Sequence, residues 1–485
     1  MMGDLGRAER RGGDLGRAER RGDDLGRAER RGDDLVTLDA LGPNGEYPTR
    51  KRELITDTGG IPVAEMSLVP RLFVTRSINA QRAAQPLPIA DRETALARAA
   101  DIFVTSTIAG LGFDDYVALT CRVSGLPLTV ARAGAHVVAD SLATTFDAVR
   151  PARPAGATFD WRDQPGGAVW ARRGDVLAVH APGNAPGVHG LWPQALALGY
   201  RVAVRPSRRD PFTAHRLVTA LRHSGFRDTD ALYLPTDYAT SDELVRAADL
   251  ALVYGGQDVA SRHADDPTVL VNGPGQTKIV ITAEQDWREH VEVIVDSIAG
   301  LAGMACVNAT AVLYEGDPAP LAHAIAERLA KLEPLPNTDE NATLPTTPVI
   351  NAHALAEYLG RAALGTEALL GADQVVADLG DGYAALRPAV HLLRRPDVRT
   401  LNVELPFPCA WVSGWQRDDG VAALRNSLVV TAITGDDGLI DGLLDEPTVT
   451  NVYRGPIPTH VAAPHIPHDG YLADFLMRNK GFVQR

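Results

Sequence analysis

Residues 176–217 read VLAVHAPGNAPGVHGLWPQALALGYRVAVRPSRRDPFTAHRL. VLAVH (176–180) and RVAV (201–204) are short apolar runs with β-branched residues, the pattern of buried strands. Between them, APGNAPG (181–187) is a turn by its Gly and Pro content, and HGLWPQALALG reads as a helix. After the second run, Asp210 is placed to cap a helix whose first position is Pro211. Ala214, Leu217, Val218 and Leu221 then share one apolar face, and Gly225 ends the helix.

The same alternation continues outward. ALYL (231–234), ALVY (251–254) and TVLV (268–271) predict further strands with helical connections, giving an α/β fold with a doubly wound parallel sheet. Ligands of such sheets bind beyond the carboxyl ends of the strands, where APGNAPG and Gly255-Gly256 fall. Past GPGQ (273–276), KIVIT begins another strand. Residues 283–302 predict a helix with Val291, Ile294, Ile298 and Leu301 on one face, ending at Gly303. Cys306 follows at once, ahead of the strand VNATAVLY (307–314), and α/β chain runs on to about residue 450.

Upstream, residues 90–148 carry several helical stretches, and 151–168 are Pro- and Gly-rich and read as extended and exposed. Residues 3–35 repeat a ten-residue unit, GDLGRAERRG, whose mixed charge and regular glycine offer nothing to bury. The expected organisation is a disordered arm over 1–65, with Met66 as an alternative start, and a dinucleotide-binding domain over 66–150 and 169–274. An extended oligomerisation segment over 151–168, a catalytic domain over 275–455 and an irregular tail over 456–485 complete it.

Composition narrows the function. With 485 residues, 45% of them hydrophobic and 22% charged, the chain is long enough for two or three domains. No apolar window is long enough to span a bilayer and the N-terminus lacks a signal-peptide core, so a cytoplasmic protein without membrane contact is expected. A net charge of −13 supplies no general attraction for nucleic acid. Cys121, Cys306 and Cys409 are far apart and form neither a disulfide framework nor a zinc cluster, and His180, His189 and His263 match no common metal spacing, so no metal is expected. A thiolate at Cys306 would attack a carbonyl, whereas a lone cysteine in an apolar stretch is usually a small buried residue, the reading its own surroundings favour. Asn308, two residues on, is either an oxyanion donor or a backbone ligand.

Taken together and in order, five stretches resemble the aldehyde dehydrogenase superfamily: 180–217, VYGGQDVASRHA (253–264), VNGPGQTKIVI (271–281), LAGMACVNA (301–309) and NVELPFPCAWV (402–412). The resemblance implies an aldehyde dehydrogenase-like fold: a doubly wound cofactor-binding sheet, an α/β catalytic domain and an oligomerisation segment, assembled as a homo-dimer or homo-tetramer. It implies Cys306 as nucleophile and Asn184 as an amide donor to the substrate oxyanion. Arg205 stands for a lysine that contacts the adenosine ribose, with Ser207 and Arg208 close by. Gly255, Gly256 and Gln257 form the turn under the pyrophosphate, with Gly273 near it. Glu404 would bind the nicotinamide ribose and Phe407 would pack beside the ring. Tyr453 and Arg454 lie where a late active-site loop of the family runs.

Two departures refine this. Hydrolytic relatives place a water-activating glutamate where this chain has Val271 or Asn272, and the GPG sequence is similar to the CoA-acylating branch. A thioester on Cys306 without that base would last until a thiol such as CoA took the acyl group. Expected substrates are therefore a small-molecule aldehyde or acyl thioester, with CoA as co-substrate. Oxidation to a free acid, or a silent nucleotide-binding protein, are the alternatives. Arg208 also stands where many NAD-using members have a glutamate, which favours NADP while leaving NAD open.

Overall fold

The computed structural model describes residues 35–484, so the repeat-bearing part of the expected arm lies outside the described residues. The cofactor-type sheet has seven strands. From one edge they run Val269–Asn272, Leu250–Tyr254, Val176–His180, Arg201–Arg205 and Ala231–Tyr233, parallel throughout. The residues of 176–179 and 202–204 are at most marginally exposed, which is why these strands read as unbroken apolar runs. The helix Pro211–Ser224 packs on this sheet; Asp210 caps it by accepting from Thr213 N at 3.0 Å, and Gly225 ends it.

The last two strands of this sheet correct the sequence reading. Ala40–Gly42 pairs antiparallel with Ala231–Tyr233, and Gly45–Tyr47 pairs with Ala40–Gly42. Val36–Leu38, Arg52–Thr56 and Pro62–Ser67 form a further three-stranded sheet. Residues 36–65 are thus part of the fold and not an arm, and Met66, 1% exposed within a strand, is no natural start. Strands of three residues such as ALG and GEY are too short to show a period of two, so only their partners make them strands.

The second seven-stranded sheet runs Glu367–Leu370, Ala389–Leu393, Cys409–Gly414, Ala309–Tyr314, Thr277–Ile281, Ser427–Ile433 and Val449–Arg454, and is parallel except at its first strand. The helix expected over 283–302 is shorter, Val291–Ala299. Leu301 and Ala302 take φ of 52° and 60°, which ends the helix early and leaves Leu301 38% exposed instead of on the apolar face. This left-handed break swings the chain into the Cys306 loop.

The segments 151–168 and 456–485 meet in another three-stranded sheet. Met477–Val483 pairs antiparallel with Gly166–Arg172, which pairs with Ala157–Thr158. The strand extends four residues past the expected boundary at 168. The tail is regular from Leu472 on, as a helix (Leu472–Leu476) and then this strand. Among the described residues no helix is long and apolar enough to cross a membrane.

Candidate active site

Of the three cysteines, Cys121 and Cys409 are buried, and burial pushes both thiols up to about 12. Cys306 alone is partly exposed. Its loop is held from four sides. Asn308 Oδ1 accepts from Ala305 N at 2.8 Å while its amide donates to the carbonyls of Ser297 and Gly300, so Asn308 is a backbone ligand and not an oxyanion donor. Asn184 Nδ2 donates to the Met304 carbonyl at 3.2 Å, which places the APGNAPG turn directly against the loop. Thr277 Oγ1 donates to the Cys306 carbonyl at 3.0 Å. On the fourth side the Gly275 backbone is so close that a Cβ there would stand 1.9 Å from the Cys306 carbonyl oxygen.

Glu404 fixes that approach. One of its carboxylate oxygens accepts from Gly275 N at 3.0 Å and Gln276 N at 2.7 Å. Burial pushes this carboxyl up; the two backbone donors and Lys278 pull the other way. Lys278 is itself fully buried, donating to the Gln276 and Arg425 carbonyls and to Ser427 Oγ, and burial brings its ammonium down to about 7. Phe407 does not face the cleft: at 1% exposure it belongs to the core of the second sheet, where an aromatic side chain gains most from burial. The residue of this stretch that lines the cleft is Pro406.

That cleft, about 510 Å³, is lined by Ser124, Arg208, Arg209, Met304, Asn351 and Pro406 among others. At the glycine turns that follow the neighbouring strands Leu250–Tyr254 and Val269–Asn272, Gly273 has φ of 98°, and a Cβ on it would lie 2.6 Å from the Gly255 carbonyl oxygen. Gly256 precedes the short helix Gln257–His263, and Gln257 is exposed there. Two buried polar atoms near the carboxyl ends of neighbouring strands, Tyr254 Oη and Asn272 Oδ1, have no partner among the described residues. Bare backbone beside unpaired polar atoms suits a dinucleotide, whose phosphates need close backbone N–H groups and whose amide and hydroxyls need partners. Arg205 donates to Thr236 Oγ1 at 3.0 Å, and the Ser207 hydroxyl accepts from Arg209 N at 3.2 Å. Arg208 is not free. Its guanidinium lies 2.7 Å from a Glu53 carboxylate oxygen and 4.6 Å from the centre of the Tyr238 ring. A carboxylate does stand at this position, brought by the strand Arg52–Thr56, which removes the premise on which NADP was favoured over NAD.

The sequence reading missed His468 and Asp469. His468 Nε2 lies 3.6 Å from Cys306 Sγ, and His468 Nδ1 lies 2.7 Å from Asp469 Oδ2. The tail loop bearing them is held by Asn451, whose amide donates to the His468 and Leu428 carbonyls, and by Tyr471, whose hydroxyl donates to the His465 carbonyl. Tyr453 and Arg454 are occupied elsewhere, the first with the Val461 carbonyl and the second with Asp437. The adjacent pair in HIPHDG was the only available signal, and nothing local ties it to a cysteine 162 residues away.

A partly exposed cysteine on a loop pinned by Asn184, Thr277 and the Gly275 backbone, which Glu404 holds in turn, is the candidate site. The sequence pattern of the aldehyde dehydrogenase family matches residues 53–433, and the chain belongs to this family. It is 25% identical over 151 residues, 29% of each chain, to a probable acylating methylmalonate-semialdehyde/malonate-semialdehyde dehydrogenase, mitochondrial, of Caenorhabditis elegans. Among solved structures it is similar to an indole-3-acetaldehyde dehydrogenase complexed with NAD+ (TM-score 0.78, 15% identity, 92% of this chain and 96% of that one). An NAD-dependent aldehyde dehydrogenase from Sinorhizobium meliloti gives TM-score 0.78 at 17% identity, over 92% and 94%. An NADP-dependent enzyme of E. coli gives 0.76 at 17%, over 92% and 98%.

Proposed function

We propose that the protein is an NAD(P)-dependent aldehyde dehydrogenase that forms a thioester on Cys306 and passes the acyl group to a thiol such as CoA. The observation that carries this reading is the placement of Cys306, the one partly exposed thiol, on a loop pinned by Asn184, Thr277 and Gly275. A nucleophile so held attacks from a fixed direction, which is worth several kcal/mol over a mobile one.

Cys306 Sγ attacks the aldehyde carbon. Asn184 Nδ2 and the Cys306 backbone N–H serve the oxygen on which charge develops. A nicotinamide bound in the cleft supplies the hydride acceptor. Gly255, Gly256, Gln257 and Gly273 would hold its phosphates, Arg205, Ser207 and Arg208 the adenosine side, and the second oxygen of Glu404 the nicotinamide ribose. Pro406 takes the place expected for Phe407 beside the ring. With Glu53 paired to Arg208, the adenosine pocket suits the ribose hydroxyls of NAD as well as a 2′-phosphate.

Release to a thiol is supported by the absence of a carboxylate at Val271 and Asn272, by the engagement of Glu404 with Gly275 and Gln276, and by the relative named as acylating. Hydrolysis to a free acid is the second reading, favoured by the imidazole of His468 near Cys306. The three-stranded sheet ending in Met477–Val483, paired on one side only, supports the homo-dimer or homo-tetramer expected above.

The test is a panel of aldehydes with NAD+ or NADP+, with and without CoA, read by reduced-cofactor absorbance and product analysis. We expect cofactor reduction that requires CoA, yields acyl-CoA and falls more than about a thousandfold in Cys306→Ala. Free acid made without CoA would replace the thiol acceptor by water. No turnover of any aldehyde would overturn the oxidoreductase reading.

A further inference from the structure

We propose that Cys306 and His468 form a proton-transfer couple, with His468 as a second catalytic residue and Asp469 as its positioning residue. The inference rests on Cys306 being the nucleophile, and it holds for either acyl acceptor.

The geometry is that of a nucleophile, a base and an orienting carboxylate in series. The Asp469 carboxylate accepts from Nδ1–H at 2.7 Å, which leaves Nε2, with its lone pair or its second proton, facing Sγ at 3.6 Å. The loop is fixed from behind through the His468 carbonyl and Asn451, so the ring does not depend on substrate for its position. Asp469 and Cys306 both act on the ring. Burial alone would push the imidazole down, but the hydrogen bonds and charges of Asp469 and Cys306 outweigh it and bring His468 up to about 10. Tyr254 faces the same cluster: burial, then the charges of Asp469 and Cys306, keep its hydroxyl protonated, so it accepts no proton here.

In the resting couple the Sγ proton already sits on Nε2, and the thiolate lone pair forms the S–C bond as the carbonyl π pair moves to oxygen. A bound nicotinamide would accept the hydride from that carbon, and the thioester would remain on Sγ. Acylation removes the sulfur charge, one of the groups that favoured the imidazolium, and the ring releases its proton to solvent. The neutral Nε2 then takes the proton of the incoming thiol or water, whose lone pair forms the new bond to the acyl carbon. The C–S pair returns to Sγ. The site therefore has a base for deacylation although positions 271 and 272 carry none.

The test needs no aldehyde. Iodoacetamide alkylation of the full chain is followed from pH 6 to pH 10, and with Cys121 and Cys409 buried, Cys306→Ala is the unlabelled control. In the native protein the rate should stay nearly flat between pH 6.5 and 8.5. In His468→Gln it should be at least about tenfold lower at pH 6.5 and converge with the native rate near pH 10, where any thiol is largely ionised. Asp469→Asn should move the profile the same way by less. Equal rates at pH 6.5 for native and folded His468→Gln protein would overturn the couple. If that variant does not fold, the native profile decides alone, since a rise of about tenfold per pH unit through this range is that of an unassisted thiol. A flat profile in a protein that oxidises no aldehyde would retain the couple and reject the function. A steep profile in an active enzyme would do the reverse.

Discussion

At the residue scale, much of the site is backbone kept within reach of backbone. Gly275 is the clearest case, because its Cα leaves no room for a methyl group beneath the Cys306 carbonyl. Gly275→Ala must push either the GPGQ segment or the cysteine loop by more than an ångström, and misplacement on that scale costs about a hundredfold in rate. We expect kcat to fall by about that factor with the cofactor KM changed far less. Unaltered kcat would show that the loop yields freely. Legibility differs residue by residue. Cys306 and Asn184 are marked by the family resemblance of their stretches, which the residues taken singly do not supply. Phe407 stands in such a stretch too, but its direction is set by packing, and it turned into the core.

At the scale of single elements, the strand Arg52–Thr56 has the largest functional consequence. It carries Glu53 to Arg208, where the pair sits over the Tyr238 ring. Freed of its carboxylate, Arg208 gains a charge-assisted pairing with a 2′-phosphate. In Glu53→Gln the ratio of kcat/KM for NADP+ over NAD+ should rise by about tenfold, the equivalent of about 1.4 kcal/mol. A ratio unchanged within a factor of two would place the adenosine pocket elsewhere. The long parallel strands and the helix capped by Asp210 were legible because period, cap and terminator coincide in one window. The helix leading to Cys306 was overextended, because apolar spacing continues through Leu301 while the backbone turns left-handed there.

For the whole molecule, residues 36–65 are a structural part. They complete the edge of the cofactor sheet, cover apolar surface through Leu38, Ala40, Leu41 and Ile55, and deliver Glu53. A chain begun at Met66 would expose that surface, at roughly 25 cal/mol for each Å² uncovered, and would leave Ala231–Tyr233 as a raw edge. We expect such a chain to aggregate or to melt at least about 10 °C below the full chain in thermal unfolding. Equal melting temperatures would show these strands to be dispensable.

What the sequence determined by itself is whatever short-range patterns encode: the alternation of buried strands and helices, the capped helix after Arg201–Arg205, the glycine turns and the place of Cys306 just past a helix end. Tertiary structure alone decided which distant groups meet. Glu53 reaches Arg208, His468 reaches Cys306, and the three-residue strands at 40–47 exist because Tyr233 offers an edge to pair with. The reason is physical. Local conformation follows from dihedral preferences and the period of burial within some ten residues, whereas these contacts are chosen by the packing of elements far apart in the chain, and no nearby residue records them.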